Sequence, residues 1–301
     1  MDWLARCVPD ETAFFAGQWR KAPAVLRPDD PPVDLLSMAE LDRILDAGLL
    51  TTPYAQLVHE HEQVPSDRFC APRVVLGEIV EGYVDAEAVR RLVERERATL
   101  LLRYLDQWHA GVRELTEGLA ERFERQVEAF CFLTPPGTQG RPVHRDDADV
   151  LAVQMHGDKR WRVHGGPADG NWQPERVDGD LGEVVLDTVL RPGEVLYVPR
   201  GFAHSAAAVG DAPSVHLSLT IREVGTAQLY ALVRALLLQG DGLSARPVGE
   251  AALDAAAADL LGHFRRTLDD LTPRELVRLA RDLTRTERPR PGRTLSELFA
   301  A

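Results

Sequence analysis

Two histidines and one aspartate are the residues of this chain best suited to chemistry. His144 and Asp146 stand two positions apart, and His204 follows sixty residues after His144. In an extended strand, side chains two residues apart point to the same side, so His144 and Asp146 can reach one ion together. A histidine from a second strand would complete a three-ligand face. Two imidazoles and one carboxylate that leave open positions form the ligand set of non-haem Fe(II) oxygenases, which bind a co-substrate and O₂ there.

Two neighbouring aspartates are the alternatives for the carboxylate ligand. Asp147 would point to the opposite side of the strand, and Asp149 lies five positions from His144. We therefore assign Asp146. A His-x-Asp triplet also occurs by chance, as a turn histidine beside solvated aspartates. The flanking sequence makes the assignment more specific, because a proline- and glycine-containing segment precedes His144 and another, residues 190–203, leads to His204.

Composition limits the classes of function. The 301 residues are 45% hydrophobic and 27% charged, which is typical of a globular protein with an ample core. A formal net charge of −12 argues against nucleic-acid binding by bulk charge, so no nucleic-acid partner is expected. Three widely spaced cysteines without a CxxC motif indicate reduced thiols. No signal peptide and no apolar run of membrane-spanning length is recognisable, so we expect a cytoplasmic protein without a membrane partner.

Helical and strand patterns divide the chain into four parts. Apolar residues recur at helical spacing before residue 125, for example over 37–49, whereas short apolar runs separated by glycine and proline follow from about residue 126. Many short antiparallel strands in succession predict a barrel or sandwich. Helical patterns return over 226–239, 250–268 and 273–286. The expected parts are a mainly helical region at 1–125, a β core carrying the iron site at 126–224, a helical dimerisation module at 225–270, and a short helix and tail at 271–301.

A long segment around the first histidine resembles a known family. The stretch from Phe132 to Val163, which includes Thr-Pro-Pro-Gly and His-Arg-Asp, is similar to the JmjC-type, cupin-like ribosomal oxygenases. The opening Phe-Phe-Ala-Gly-Gln-Trp at 14–19 and the strand pattern at 214–221 extend the resemblance to roughly residues 10–225. It implies a mixed α/β fold with a mainly β core, a double-stranded β-helix of the cupin jelly-roll type, flanked by N-terminal helices and a C-terminal helical module.

The resemblance also implies cofactors and their ligands. His144, Asp146 and His204 fall on the Fe(II) ligands. Lys159 falls on the basic residue that pairs with the distal carboxylate of 2-oxoglutarate, and Thr134 on a hydroxyl that assists it. Lysine is rare in this chain, which has only Lys159 and one other, but an exposed hairpin lysine is the alternative interpretation. O₂ is the second implied co-substrate.

Four further residues are candidates for the substrate pocket. Thr220 falls where the family commonly has a serine. Phe130 and Phe132 replace an Asn-x-Tyr pair of the eukaryotic members, which removes two hydrogen-bonding groups. His216 alternates with serines and Thr220 on one face of its strand, and either pocket lining or a buried, hydrogen-bonded histidine fits that position.

These features predict an Fe(II)- and 2-oxoglutarate-dependent dioxygenase. We expect it to hydroxylate a side chain of a peptide or protein, at the β-carbon. Loss of the polar pair and of the family's C-terminal winged helix favours a specialised target, such as a small peptide or biosynthetic precursor. Two alternatives remain open, namely an N-methyl-lysine demethylase and a non-catalytic cupin-fold binding module. The helices after residue 225 predict a homodimer.

Overall fold

Strands and helices follow one another along most of the chain in the computed structural model, which describes residues 2–60, 62–177, 179, 181–239 and 246–285. The strands are β1 Ala24–Leu26, β2 Ala55–His59, β3 Glu62–Gln63, β4 Cys70–Val75, β5 Glu78–Val84, β6 Thr99–Leu102, β7 Val127–Thr134, β8 His144–Arg145, β9 Ala148–His156, β10 Asp158–His164, β11 Glu175–Arg176, β12 Val184–Leu190, β13 Val195–Val198, β14 His204–Val209 and β15 Ser214–Arg222. The helices are α1 Glu11–Ala13, α2 Met38–Asp46, α3 Ala86–Arg95, α4 Leu105–Trp108, α5 Ala110–Phe123, α6 Thr226–Leu237, α7 Glu250–Asp269 and α8 Pro273–Thr284.

Two antiparallel sheets form the centre of the first compact unit, residues 1–123 and 127–222. The larger sheet has the order β1-β13-β9-β15-β7-β6-β2-β3, and the smaller has the order β11-β8-β14-β10-β12. The β4–β5 hairpin forms a separate two-stranded sheet. This is the mixed, mainly β architecture that the sequence predicts, a double-stranded β-helix of the cupin type.

The larger sheet is buried on both faces, and alternation along its strands divides its side chains between two cores. In β9, Val150 and Ala152 pack with Trp161 and Val163 of β10, so this core lies between the two sheets. The intervening Leu151 and Val153 of β9 pack in the other core, with helical residues such as those of α5. The inner faces of β9, β10 and β15 therefore enclose the space into which site residues can project.

Six strands lie within the first 125 residues, where the sequence pattern predicts mainly helices. The α2 helix is as expected, since its N-cap Ser37 accepts a hydrogen bond from the Glu40 backbone N–H. The strand β6 was not recognised, because Thr-Leu-Leu-Leu at 99–102 is too short and uniformly apolar to show a period of two. It pairs with β2 and β7 and so extends the larger sheet.

The second compact unit contains α6, α7 and α8, with residues 124–126 and 223–301 assigned to it. These helices agree with the helical patterns expected over 226–239, 250–268 and 273–286, except that the last residue of the third and the tail at 286–301 lie outside the described residues. Along α7, Leu253, Leu260, Leu261 and Leu268 are exposed. Within the described part of the chain, none of the helices combines the length and apolar character needed to cross a bilayer.

Candidate active site

Pairing of β8 with β14 brings the two candidate histidine ligands together. His144 and His204 are direct partners in the antiparallel register, and their ring centroids are 4.4 Å apart. Asp146, two residues after His144, has its carboxylate oxygens 3.6 Å from His144 Nε2 and 3.5 Å from His204 Nε2. The three ligand atoms lie within 4.8 Å of one another, as needed to hold one metal ion.

Hydrogen bonds fix which nitrogen each histidine offers. His144 Nδ1 lies 2.8 Å from the carbonyl oxygen of Pro142, and His204 Nδ1 lies 3.0 Å from that of Phe202. A neutral ring that donates from Nδ1 to a carbonyl leaves an Nε2 lone pair directed at Asp146. Burial, together with the charge of His204, lowers the pKa of His144 to about 3, so this ring is neutral near pH 7.

The neighbouring aspartates have other partners, which supports the choice of Asp146. Asp149 is fully buried and accepts hydrogen bonds from the Tyr197 hydroxyl at 2.6 Å and from Arg20 Nε at 3.2 Å. Asp147 accepts from Arg200 Nε at 2.6 Å. Burial would raise the pKa of Asp146, but its electrostatic interactions with the imidazoles of His204 and His144 and with Arg141 hold that pKa below its ordinary value, so this carboxylate is ionised near pH 7.

Lys159 projects from β10 into the space between the sheets and is 1% exposed. Its Nζ donates to Thr134 Oγ1 at 3.0 Å and lies 3.1 Å from His216 Nδ1. Burial lowers the pKa of this amine to about 7. Among the described residues, no carboxylate forms an ion pair with it. A buried cationic group without a counter-ion is costly, so the position suits an incoming anion.

Trp161 is a site residue that the sequence analysis missed. It lies two residues after Lys159 on the same face of β10, and its ring contacts His216 edge-on at 5.2 Å between centroids. Its buried Nε1–H has no hydrogen-bond partner in the part of the chain that the structure describes, although such a group ordinarily finds one. The period of two in β10 would have placed Trp161 beside Lys159, but an apolar tryptophan in a strand is more commonly a core residue.

Two adjoining cavities meet at the metal-ligand set. The smaller, of about 50 Å³, is lined by His144, Asp146 and His204 together with Lys159 and Trp161. The larger, of about 440 Å³, also contacts Asp146. The residues that line both are Phe132, Gly140, Arg141, Asp146 and Ser218. A ligand in the larger cavity would therefore lie next to the candidate metal position.

The other predicted pocket residues lie on the walls of these cavities. His216 and Phe132 stack face to face with centroids 4.8 Å apart, and both line the smaller cavity. Phe130 and Thr220 line the larger one, where Phe130 packs against Tyr104 at 5.1 Å. Thr134 lines neither cavity and acts instead as a partner of Lys159.

Comparison with known proteins agrees with this geometry. Residues 107–229 match the JmjC domain. "Ribosomal oxygenase 1" of Gallus gallus is 33% identical over 72% of this chain and 36% of its own length. "Bifunctional lysine-specific demethylase and histidyl-hydroxylase NO66" of Drosophila persimilis is 38% identical over 36% of this chain and 16% of its own length. The chain belongs to the JmjC-type, cupin-like ribosomal oxygenase family.

A solved structure of the family shows the same fold. YcfD, described as a ribosomal oxygenase from Escherichia coli in complex with cobalt and 2-oxoglutarate, superposes with a TM-score of 0.54 at 23% identity, over 88% of this chain and 67% of that one. The present family member spans about a third or less of the length of the two curated relatives named above. Their likeness therefore covers the JmjC region and not the whole of those proteins.

Proposed function

We propose that this ribosomal oxygenase family member is an Fe(II)- and 2-oxoglutarate-dependent oxygenase that hydroxylates a peptide or protein side chain. One observation carries the proposal: two Nε2 atoms and one carboxylate converge beside a buried amine that has no counter-ion among the described residues. The first group suits a metal and the second suits a carboxylate-bearing co-substrate. A binding module would not need a metal face with open coordination positions.

The ligand set fits Fe(II). Backbone carbonyls of Pro142 and Phe202 orient the two imidazoles through Nδ1, so that both Nε2 lone pairs point to one position. Three ligands from one side leave the remaining coordination positions open to small ligands. Bound Fe(II), with 2-oxoglutarate and O₂, would supply the oxidation of the substrate C–H bond, coupled to conversion of 2-oxoglutarate to succinate and CO₂.

The polar groups around the smaller cavity suit the carboxylates of 2-oxoglutarate. The Lys159 amine would pair with the distal carboxylate, and Thr134 would hold that amine in place through its hydroxyl oxygen. Trp161 also lines this cavity, and its buried Nε1–H has no hydrogen-bond partner among the described residues. The stacked pair of His216 and Phe132 closes one wall and excludes water.

The larger cavity would hold the target side chain. Because this cavity is lined by Asp146, a side chain bound in it would lie close to the metal. The family resemblance implies that the β-carbon of this side chain is hydroxylated. Phe130 and Phe132 give this wall an apolar surface. We infer a specialised peptide, such as a biosynthetic precursor, as the target.

Isotope incorporation tests this function. The purified chain, loaded with Fe(II) and 2-oxoglutarate under ¹⁸O₂, is incubated with a peptide extract from a strain that lacks it. We expect a discrete peptide to gain a single labelled oxygen atom. Asp146→Ala should abolish the gain, while Asp211→Ala, at an exposed position outside both cavities, should retain it. Formaldehyde release without a stable oxygenated product would indicate demethylation instead. The absence of both products and of succinate would contradict the oxygenase assignment.

We further infer that the chain forms a homodimer through its C-terminal helices. Leu253, Leu260, Leu261 and Leu268 recur at helical spacing along α7 and remain exposed in the single chain. Burial of such an apolar stripe against a second copy would remove it from water.

A further inference from the structure

The larger cavity is lined by four arginines, although the protein as a whole is acidic. Its charged lining residues are Arg103, Arg141, Arg145 and Arg222 on the basic side and Asp146, Asp147 and Glu175 on the acidic side. The chain as a whole carries a formal charge of −12. Four arginines around one cavity are therefore unusual in a chain with this negative net charge. Whether these arginines already have ion-pair partners determines which ligands the cavity can recognise.

Several of these charges are already neutralised. Arg222 Nε donates to Glu128 Oε2 at 2.9 Å, and Asp147 accepts from Arg200 at 2.6 Å. Asp146 is the candidate metal ligand. On the acidic side only Glu175 remains, and it is exposed.

Three of the arginines retain guanidinium N–H groups that can still bind a carboxylate. The Arg103 guanidinium lies over the Tyr104 ring, 5.4 Å from its centroid, and forms no ion pair within the described ranges. Arg145 donates from Nη1 to the carbonyl oxygens of Gly201 and Gly165 but likewise pairs with no carboxylate there. The one carboxylate near Arg141 is that of Asp146, at 3.8 Å.

These three residues flank the cavity from both sheets. Arg103 follows β6 of the larger sheet, while Arg141 and Arg145 belong to the β7–β8 connection and to β8 of the smaller sheet. A peptide lying between the sheets would thus meet guanidinium groups on both sides. Planar guanidinium groups bind carboxylates through paired N–H donors.

We propose that the larger cavity selects a peptide segment that carries carboxylates next to its target side chain. This inference rests on the proposed oxygenase function and names its substrate class. An acidic peptide is favoured over a nucleic acid, because a net charge of −12 disfavours contact with a long polyanion outside the cavity. A short segment can place its carboxylates at the three arginines alone.

Binding of labelled peptide sets tests the inference. Three sets of short fluorescent peptides share a randomised uncharged centre and carry glutamate, lysine or serine on both flanks. Fluorescence anisotropy with the whole chain, Mn(II) and 2-oxoglutarate gives their affinities at low and high salt. We expect the glutamate set to bind at least about tenfold more tightly than the lysine set, and the ratio to shrink with salt.

Charge variants assign this preference to the cavity. Arg103→Ser should reduce the ratio of the affinities for the glutamate and lysine sets several-fold, and Arg103→Glu should invert this ratio. Arg141→Ser should reduce it independently. Arg95→Ser, at an exposed position of α3 outside the cavity, should leave the ratio unchanged. Equal affinity of the three sets, or an effect of Arg95→Ser as large as that of Arg103→Ser, would overturn the proposal. Tighter binding of a single-stranded RNA oligomer than of the glutamate set would overturn it as well.

Succinate formation separates this inference from the function on which it rests. If Fe(II)-dependent succinate forms but the peptide sets bind equally, the oxygenase assignment stands and the acidic substrate class is wrong. If the glutamate set binds more tightly and this preference is lost in the Arg103 and Arg141 variants, but no succinate forms, the charge selectivity of the cavity stands and the oxygenase assignment fails.

Discussion

The amine of Lys159 makes co-substrate binding depend on pH. Burial lowers its pKa to about 7 in the free protein, whereas a paired carboxylate favours the charged form. Above pH 7, binding of 2-oxoglutarate must therefore take up a proton. We expect its affinity to be constant below pH 7 and to fall by up to about tenfold per pH unit above it. Titration calorimetry in the presence of Mn(II) measures this, and a flat profile from pH 6 to 9 would exclude Lys159 as the anchor.

Substitution of the same lysine separates charge from packing. Lys159→Ala removes a buried charge-assisted contact, and we expect 2-oxoglutarate binding to weaken by about 2–4 kcal/mol. Lys159→Arg should be milder, because a guanidinium remains charged, and it should abolish the dependence on pH near 7. An unchanged affinity in the alanine variant would remove Lys159 from the site.

The metal-ligand set could be predicted from the sequence because strand geometry constrains it. A spacing of two fixes His144 and Asp146 on one side, and the flanks identify His204. Trp161, Arg103 and Arg141 carried no comparable signal. Their part in the site depends on strand pairing and on how few polar partners these side chains have in the described structure, and neither can be read from spacing.

At the scale of elements, Asp149 links the N-terminal segment to two strands of the larger sheet. It lies on β9 and accepts from Tyr197 of β13 and from Arg20, while its own side chain is fully buried. We expect Asp149→Ala to lower the free energy of unfolding by about 3 kcal/mol, since buried donors lose their acceptor. Asp147→Ala, at a half-exposed pair, should cost less than about 1 kcal/mol. Urea unfolding compares the two, and equal losses would contradict this role.

The longer strands from β7 onward were predictable, whereas β11 and the strands before β7 were not. Runs such as 150–155 and 214–221 are long, apolar and bounded by glycine or proline, and they match β9 and β15 within a few residues. By contrast, β1, β2, β3 and β6 have only two to five residues each. These segments are strands because they pair with other strands of the larger sheet, not because of a pattern in their own sequence. The register of β15 against β7, which sets Phe132 opposite His216, also required the structure.

At the scale of the whole molecule, the exposed leucines of α7 predict self-association. Light scattering at micromolar concentration should give the mass of a dimer. Leu261→Asp should shift it to the monomer mass, because it places a charge within the apolar stripe. Leu49→Asp, at an exposed leucine of the other unit, is the matched control. A monomer in the unsubstituted chain would refute the dimer.

The central claim is that His144, Asp146 and His204 hold the iron of a 2-oxoglutarate-dependent oxygenase. The most direct measurement is Fe(II)-dependent formation of succinate from 2-oxoglutarate, with Asp146→Ala compared in parallel with Asp211→Ala, at an exposed position outside both cavities. The account predicts succinate formation by the unsubstituted chain and by Asp211→Ala, and at least about a hundredfold loss in Asp146→Ala with the fold retained by circular dichroism. Near-normal succinate formation by Asp146→Ala would contradict it.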